Sequence, residues 1–351
     1  MSETVEPNDS GNFHPAWWLP GPHAQTIWGR YFRRVRLPPL QHERWDTPDG
    51  DVVDIYRAPT GTGAAQLLLL HGLEGGLRSH YARGLLAAAA ARGWGATLLV
   101  FRSCGPEPNR LPRFYHSGDT GDARLALERI VSEYPDVPVL LAGFSLGGNV
   151  LLRLLAEQSN GDAVFARIAG AATLSVPYDL GRSSSFISRG FSKVYERTFV
   201  RSLRRKALAK SARFTGFPAD EQRVRCARTF YEFDDAVTAP VHGFAGADDY
   251  YARASSLPVL EQIRTPTLMV SAADDPFLPP EVLTEVRRAA AGNPALHPLF
   301  VPHGGHVGFV CGAPWRPRYW AEEQALAFLA ARVESWRTVH GLQLVASPGG
   351  V

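Results

Sequence analysis

The sequence predicts an α/β protein: a mostly parallel sheet of eight strands with helices on both faces. Three observations predict it. Short, continuously apolar runs recur along the chain, as strands buried on both faces require. Segments with apolar residues at helical spacing separate these runs, so successive strands lie parallel and joined by crossover helices. Glycine-rich or polar loops follow several strand ends, which is where ligands of such sheets gather.

The elements follow in order. Phe13-His14-Pro15-Ala16-Trp17-Trp18-Leu19-Pro20-Gly21-Pro22 is too rich in proline for a helix, and its two tryptophans predict an ordered arm, residues 1–40, packed on the core. Gln41 to Asp46 and Val52 to Arg57 predict an antiparallel hairpin turned at Pro48-Asp49-Gly50, where glycine supplies a positive φ. Leu67 to Leu70 is a buried strand, and Ser79 to Arg92 a helix stopped by Gly93. Ala96 to Phe101 and Val137 to Ala142 are strands flanking a helix over Asp122 to Tyr134, and Asn149 to Glu157 is helical. Ile168 to Ser175, Thr267 to Ser271 and Leu299 to Val301 complete the strands, before an amphipathic helix from Tyr319 to Arg332.

Between roughly Tyr178 and Arg264 the alternation fails, and polar and basic residues carry apolar ones at helical spacing. We expect a helical cap insertion there, at 178–264, within a core of 41–177 and 265–340, with a tail at 341–351.

Composition narrows the function classes. Hydrophobic residues make up 45% and charged residues 20% of the 351, which excludes a disordered chain and a coiled coil. Lys plus Arg is 37 against 34 Asp plus Glu, so nothing points to a nucleic-acid partner. The basic run Arg201-Ser202-Leu203-Arg204-Arg205-Lys206 reads as a solvated helix face; its other readings are an acidic substrate or a peripheral membrane contact. Cys104, Cys226 and Cys311 form no CxxC pair, so reduced thiols, no structural metal and a cytoplasmic location are expected. The acidic N-terminal residues carry no signal-peptide pattern. No apolar run approaches the roughly 20 residues of a membrane span.

The chemistry sits in three loops. Gly143-Phe144-Ser145-Leu146-Gly147, between an apolar strand and an apolar helix, matches a nucleophile elbow, whose glycines let the strained turn push the serine hydroxyl outward. A serine hydroxyl is a weak nucleophile and needs a histidine base oriented by a carboxylate, in the chain order Ser, acid, His. Asp274 and Asp275 of Ala273-Asp274-Asp275-Pro276-Phe277 are the acid candidates, with Asp275 favoured because it lies four residues before Pro279. His306 in Pro302-His303-Gly304-Gly305-His306-Val307-Gly308 is favoured as the base over His303. Backbone N–H groups of Leu146 and of Leu73, in His71-Gly72-Leu73-Glu74-Gly75-Gly76, are the oxyanion donors. Tyr115-His116-Ser117-Gly118-Asp119-Thr120-Gly121-Asp122 reads as a structural cluster that bonds its loop and caps the helix after Thr120.

These motifs, in this order and over almost the whole chain, resemble the YheT-like branch of the α/β-hydrolase superfamily, with the animal ABHD1/2/3-type hydrolases and the plant EMB8-like proteins. The resemblance also includes His14-Pro15, Gln25-Thr26, Glu107-Pro108-Asn109, Phe233-Asp234-Asp235 with Thr238-Ala239-Pro240, and Asp249-Tyr250-Tyr251. It implies an α/β-hydrolase fold, with Ser145 as nucleophile, His306 as base and Asp274 or Asp275 as acid, and a small-molecule carboxylic ester as substrate, in some members a lipid acyl ester. No cofactor is implied. One departure is Phe101-Arg102-Ser103-Cys104-Gly105-Pro106, where the family pattern places a glycine directly after the arginine. An acyltransferase would use the same three side chains with a different acceptor. A non-catalytic ligand-binding protein on this fold would have no need of all three.

Overall fold

The computed structural model describes residues 13–58, 63–159 and 161–341. The expected tail lies outside the described residues apart from Gly341, as does the start of the arm. Gly21–Phe32 forms α1, followed by β1 (Gln41–Asp46), β2 (Val52–Ala58), β3 (Gln66–Leu70), α2 (His80–Ala90) and β4 (Gly95–Val100). Next come α3 (Gly121–Glu133), β5 (Val139–Phe144), α4 (Leu146–Ala156) and β6 (Ile168–Leu174). A helical stretch then holds α5 (Leu180–Ile187), α6 (Lys193–Arg213), α7 (Glu221–Cys226), α8 (Phe230–Phe233), a π-helical turn (Asp234–Thr238), α9 (Ala239–His242) and α10 (Ala247–Ala254). The chain closes with β7 (Thr267–Ala272), α11 (Glu281–Ala291), β8 (Leu296–Val301), β9 (Val310–Ala313), β10 (Arg316–Tyr319) and α12 (Trp320–Val339).

Eight strands form one sheet in the order β1-β2-β4-β3-β5-β6-β7-β8. The β1–β2 and β2–β4 pairings are antiparallel and the others parallel. The period-two alternation of side chains splits the apolar strands between two cores. Leu68 and Leu70 pack with Leu127 of α3 and Leu154 of α4. Leu67 and Leu69 point the other way, toward Leu85 of α2 and Leu329 of α12. Each fully buried leucine stabilises the fold by about 1.5–3 kcal/mol, which is why both faces must be covered.

Several expectations need correction. The chain turns helical at Gly21 and Pro22, because proline in a first helical turn loses no hydrogen bond. Of the two tryptophans, Trp18 packs edge-on against Trp28 at 4.5 Å and donates to the Gly312 carbonyl, whereas Trp17 is 79% exposed. Phe13 anchors the arm instead, against Phe309 and Trp320. β8 starts at Leu296 rather than Leu299; as the last strand of the sheet it tolerates Pro298, which lacks an N–H. α11 and the β9–β10 hairpin were not anticipated, although Pro279-Pro280 before the buried Val282, Leu283 and Val286 is a helix-start signal.

The Thr120 side chain does not cap α3; its hydroxyl donates to Glu157 at 2.7 Å. The rest of that cluster does bond its loop: Asp122 and Asp119 pair with Arg102 and Arg113. The basic run is not a wholly solvated face either. Arg201 and Arg205 are exposed, but Ser202 and Lys206 turn inward onto Glu74. Cys104, Cys226 and Cys311 are free thiols. Among the described residues no helix is long and apolar enough to cross a membrane.

Candidate active site

Ser145 ends β5 and begins α4, and the sharpness of that turn holds it at φ 52, an uncommon conformation for a residue with a side chain. A side-chain carbon on Gly143 would meet the Gly147 carbonyl oxygen at 2.6 Å, and one on Gly147 would meet the His71 carbonyl oxygen at 2.4 Å. Both glycines are therefore required by backbone, which cannot move aside as a side chain could.

The His306 ring reaches this serine from a loop 161 residues away in sequence, with Nε2 at 3.0 Å from Ser145 Oγ. Its Nδ1 lies 2.8 Å from Asp275 Oδ2. Asp275 Oδ1 also accepts from the Phe277 N–H at 2.8 Å, and the Phe277 ring stacks on His306 at 4.2 Å. Asp275 is 1% and His306 5% exposed, so this chain of hydrogen bonds is shielded from solvent competition. Asp274 goes elsewhere: it accepts from the Gly305 N–H at 2.9 Å and faces the exposed His303 ring.

Residues that sequence reasoning gave no role hold the histidine loop. Thr26 Oγ1 accepts from the His306 N–H at 2.9 Å while donating to the Pro22 carbonyl at 2.7 Å. Buried Gln25 bonds both the N–H and the carbonyl of Val310. Ser175 Oγ accepts from the Val307 N–H at 3.0 Å. Gly305, at φ 62, leaves no room for a side chain against Pro22 and Thr26. The Gln25-Thr26 pair was visible as a motif, but its contact with His306 spans 280 residues and no local pattern reports that.

The loop after β3 runs beside Ser145. The His71 ring bridges its base, with Nδ1 at 2.7 Å from the Gly72 carbonyl and Nε2 accepting from the Phe101 N–H at 3.1 Å. Burial pushes the His71 pKa down to about 4, so the ring is neutral and its tautomer is set by these two bonds. Gly72 and Glu74 donate their N–H groups to the Tyr81 and Tyr115 hydroxyls, and the Leu73 N–H has no partner among the described residues. Leu146, the first residue of α4, has no intrahelical acceptor for its own N–H. Glu74, at φ 55, receives Lys206 at 2.6 Å and Ser202 at 2.5 Å from α6, and so ties this loop to the helical stretch.

A cavity of about 550 Å³ opens over Ser145, Leu73 and His306. Its far walls come largely from the helices between β6 and β7, through apolar residues such as Leu180, Ile187, Phe199 and Phe233. A polar patch interrupts them at Asp234, where burial raises the carboxyl pKa to about 6 even though Thr238 and Tyr251 donate to it. Asn149 of α4 fastens this stretch to the core by donating to the Ser117 and Ala254 carbonyls and accepting from the Ser256 N–H.

Comparison with known proteins agrees with this architecture. Residues 66–313 match the family model described as the alpha/beta hydrolase fold. YheT of Escherichia coli (strain K12), which carries an esterase name, is 38% identical over 97% of this chain and 96% of its own length. The embryogenesis-associated protein EMB8 of Picea glauca is 26% identical over 84% of this chain and 67% of its own. Among solved structures, the Pyrococcus furiosus esterase Pf2001 superposes with a TM-score of 0.54 at 15% identity, covering 87% of this chain and 99% of that one, a likeness of fold. Sheet order, elbow and relatives thus converge: the chain belongs to the α/β-hydrolase family, within its YheT-like branch.

Proposed function

We propose that this protein is a serine hydrolase that cleaves carboxylic esters with short- to medium-chain or lipid-like acyl groups, using Ser145, His306 and Asp275. The observation that carries the reading is the unbroken hydrogen-bonded chain from Ser145 Oγ through His306 to Asp275 at 3.0 and 2.8 Å. The esterase name of YheT, similar along nearly its whole length, supports it.

In this mechanism His306 Nε2 takes the Ser145 proton as Oγ attacks the ester carbonyl carbon. The Leu73 and Leu146 N–H groups hold the oxyanion, each donor contributing about 2.7–4 kcal/mol of transition-state stabilisation. His306 then returns the proton to the departing alcohol, leaving an acyl-serine. Water, deprotonated by His306, attacks the acyl carbon, and collapse of that second intermediate releases the acid and restores Ser145. Asp275 keeps the imidazole oriented and stabilises its cationic form. No step requires a cofactor. The helices between β6 and β7 act as a cap, and their apolar side chains select the acyl group; the free thiols fit work in a reducing cytoplasm.

Incubation with a fluorophosphonate probe tests the reading directly. Mass spectrometry is expected to find the adduct on Ser145, and none in Ser145→Ala. An unlabelled native protein that also turns over no p-nitrophenyl ester, at any chain length, overturns it.

A further inference from the structure

Beside the catalytic cavity lies a second recess of about 320 Å³, lined chiefly by arginine: Arg30 near the end of α1, Arg33 and Arg34 just after it, Arg78 before α2, and Arg83 within α2. Among the described residues, Glu322 is the one carboxylate paired with any of the five, and it binds Arg33. Two of the arginines are held in place. Arg33 also lies over the Tyr319 ring at 3.5 Å, and Arg83 donates to the Val35 carbonyl at 2.8 Å. Arg30, Arg34 and Arg78 are exposed and make no ion pair with a described residue. Bringing five cations together around one carboxylate costs electrostatic free energy in the empty protein, a cost that a bound anion removes.

The recess shares a wall with the catalytic cavity. Arg30, Arg78 and His80 line both cavities. Tyr81, three residues after Arg78, accepts the Gly72 N–H at 3.0 Å and packs at 4.4 Å on Phe144, the residue before Ser145. α2 begins without a side-chain cap, so the positive end of its dipole adds to the field at Arg78. Guanidinium groups recognise phosphate and carboxylate through paired, planar N–H donors, which suits this recess to an oxyanion.

We propose that the arginine recess is a subsite for an oxyanion, a phosphate or carboxylate, carried by the ester substrate, whose acyl chain occupies the apolar cavity. This rests on the ester-hydrolase reading and adds to it a charge requirement at one end of the substrate. The binding is electrostatic, so the preference weakens as ionic strength rises.

Two measurements separate the subsite from the chemistry. In the first, kcat/KM is compared for 1-octanoyl-glycerol-3-phosphate and 1-octanoylglycerol, both dissolved below their aggregation limits. The phosphate ester is expected to be favoured by about tenfold or more, and the exposed-site variant Arg34→Glu to remove most of that preference. In the second, Ser145→Ala is titrated calorimetrically with octyl phosphate and octanol, and octyl phosphate is expected to bind about tenfold tighter. Equal use of both esters, with Arg34→Glu unchanged in selectivity, overturns the subsite and leaves the hydrolase reading standing. Tight octyl phosphate binding without turnover of either ester supports the anion site but overturns its assignment to a glyceryl ester substrate, while the fluorophosphonate and p-nitrophenyl ester test decides the hydrolase reading separately. A preference that appears with anionic vesicles and never with dissolved ester makes the arginines a membrane-docking face and overturns the proposal.

Discussion

His306 Nδ1 lies 2.8 Å from Asp275 Oδ2, while Asp274, its chain neighbour, accepts the Gly305 N–H at 2.9 Å. Two adjacent carboxylates thus serve one histidine loop differently, the first through the ring and the second through the main chain. The Asp275 carboxylate meets the imidazole; that of Asp274 braces the turn that carries it.

That division predicts unequal effects of amidation. Asp275→Asn is expected to lower kcat by about 10⁴, as loss of a triad carboxylate does, because the amide no longer favours the required tautomer and cation. Asp274→Asn keeps an acceptor for the Gly305 N–H and should cost less than about tenfold. Steady-state kinetics on a p-nitrophenyl ester compares them; the reverse ranking would transfer the acid role to Asp274.

The Glu74–Lys206 pair joins the loop after β3 to α6 at 2.6 Å, with side chains 9% and 24% exposed. Lys206→Met leaves a shielded carboxylate short of its cation beside Leu73, and we expect kcat/KM to fall about tenfold or more together with the melting temperature. The double variant Lys206→Met/Glu74→Gln should recover part of both losses, since it removes the stranded charge. Additive losses in the double variant would show that the pair does not act as a unit.

Ser103 sits at φ 66 at the position where the sequence resemblance leads us to expect glycine, and its hydroxyl donates to Asn109 at 2.8 Å. A left-handed conformation costs an L-residue about 1–2 kcal/mol, so Ser103→Gly trades the lost hydrogen bond against relieved backbone strain. Its stability should stay within about 1 kcal/mol of the parent, whereas Ser103→Ala, which keeps the strain and loses the bond, should be the less stable of the two. Urea unfolding midpoints decide, and a glycine variant less stable than the alanine one would contradict the backbone argument.

Acid should destabilise the fold well above ordinary carboxylate titration. Burial lowers the pKa of His71 to about 4 and those of His80, His116 and His242 to about 3, against 6.5 for a free imidazole. The unfolded chain therefore binds more protons below about pH 6.5, so stability present above that pH is lost as pH falls toward 4 and then 3. His71 contributes on the order of 3 kcal/mol of this change. Asp234, raised to about 6 by burial, acts in the opposite sense, as do the buried carboxyls of Asp122 and Glu322, which are also raised, so the four imidazoles are partly offset. Denaturant unfolding at pH 7.5, 5.5 and 4.5 measures the slope; a flat profile would mean that these imidazoles are not buried as neutral rings.

Much of the architecture was legible because its causes are local. Apolar runs of strand length, helical spacing between them, and the glycine at the β1–β2 turn are each dictated by a few neighbouring residues. The elbow motif pointed to Ser145, and the glycine-flanked loop, in the expected chain order, favoured His306 over His303. Spacing to Pro279 favoured Asp275 but kept Asp274 as an alternative, because the difference is which of two neighbouring carboxylates points at a ring 31 residues further along. The Arg201–Lys206 run misled for the same reason: charge spacing suggests a wet face, yet Lys206 finds its partner 132 residues earlier.

By itself, then, the sequence determined the α/β alternation, the elbow and the types of side chain available to it, since period, turn geometry and steric limits act over a handful of residues. Tertiary structure alone decided which acid meets the histidine, that α1 clamps the histidine loop through Thr26 and Gln25, and that five arginines from two separate segments share one recess. The physical reason is range: backbone preferences act between neighbours, whereas hydrogen bonds and charges act between whatever groups the folded chain brings within a few ångströms.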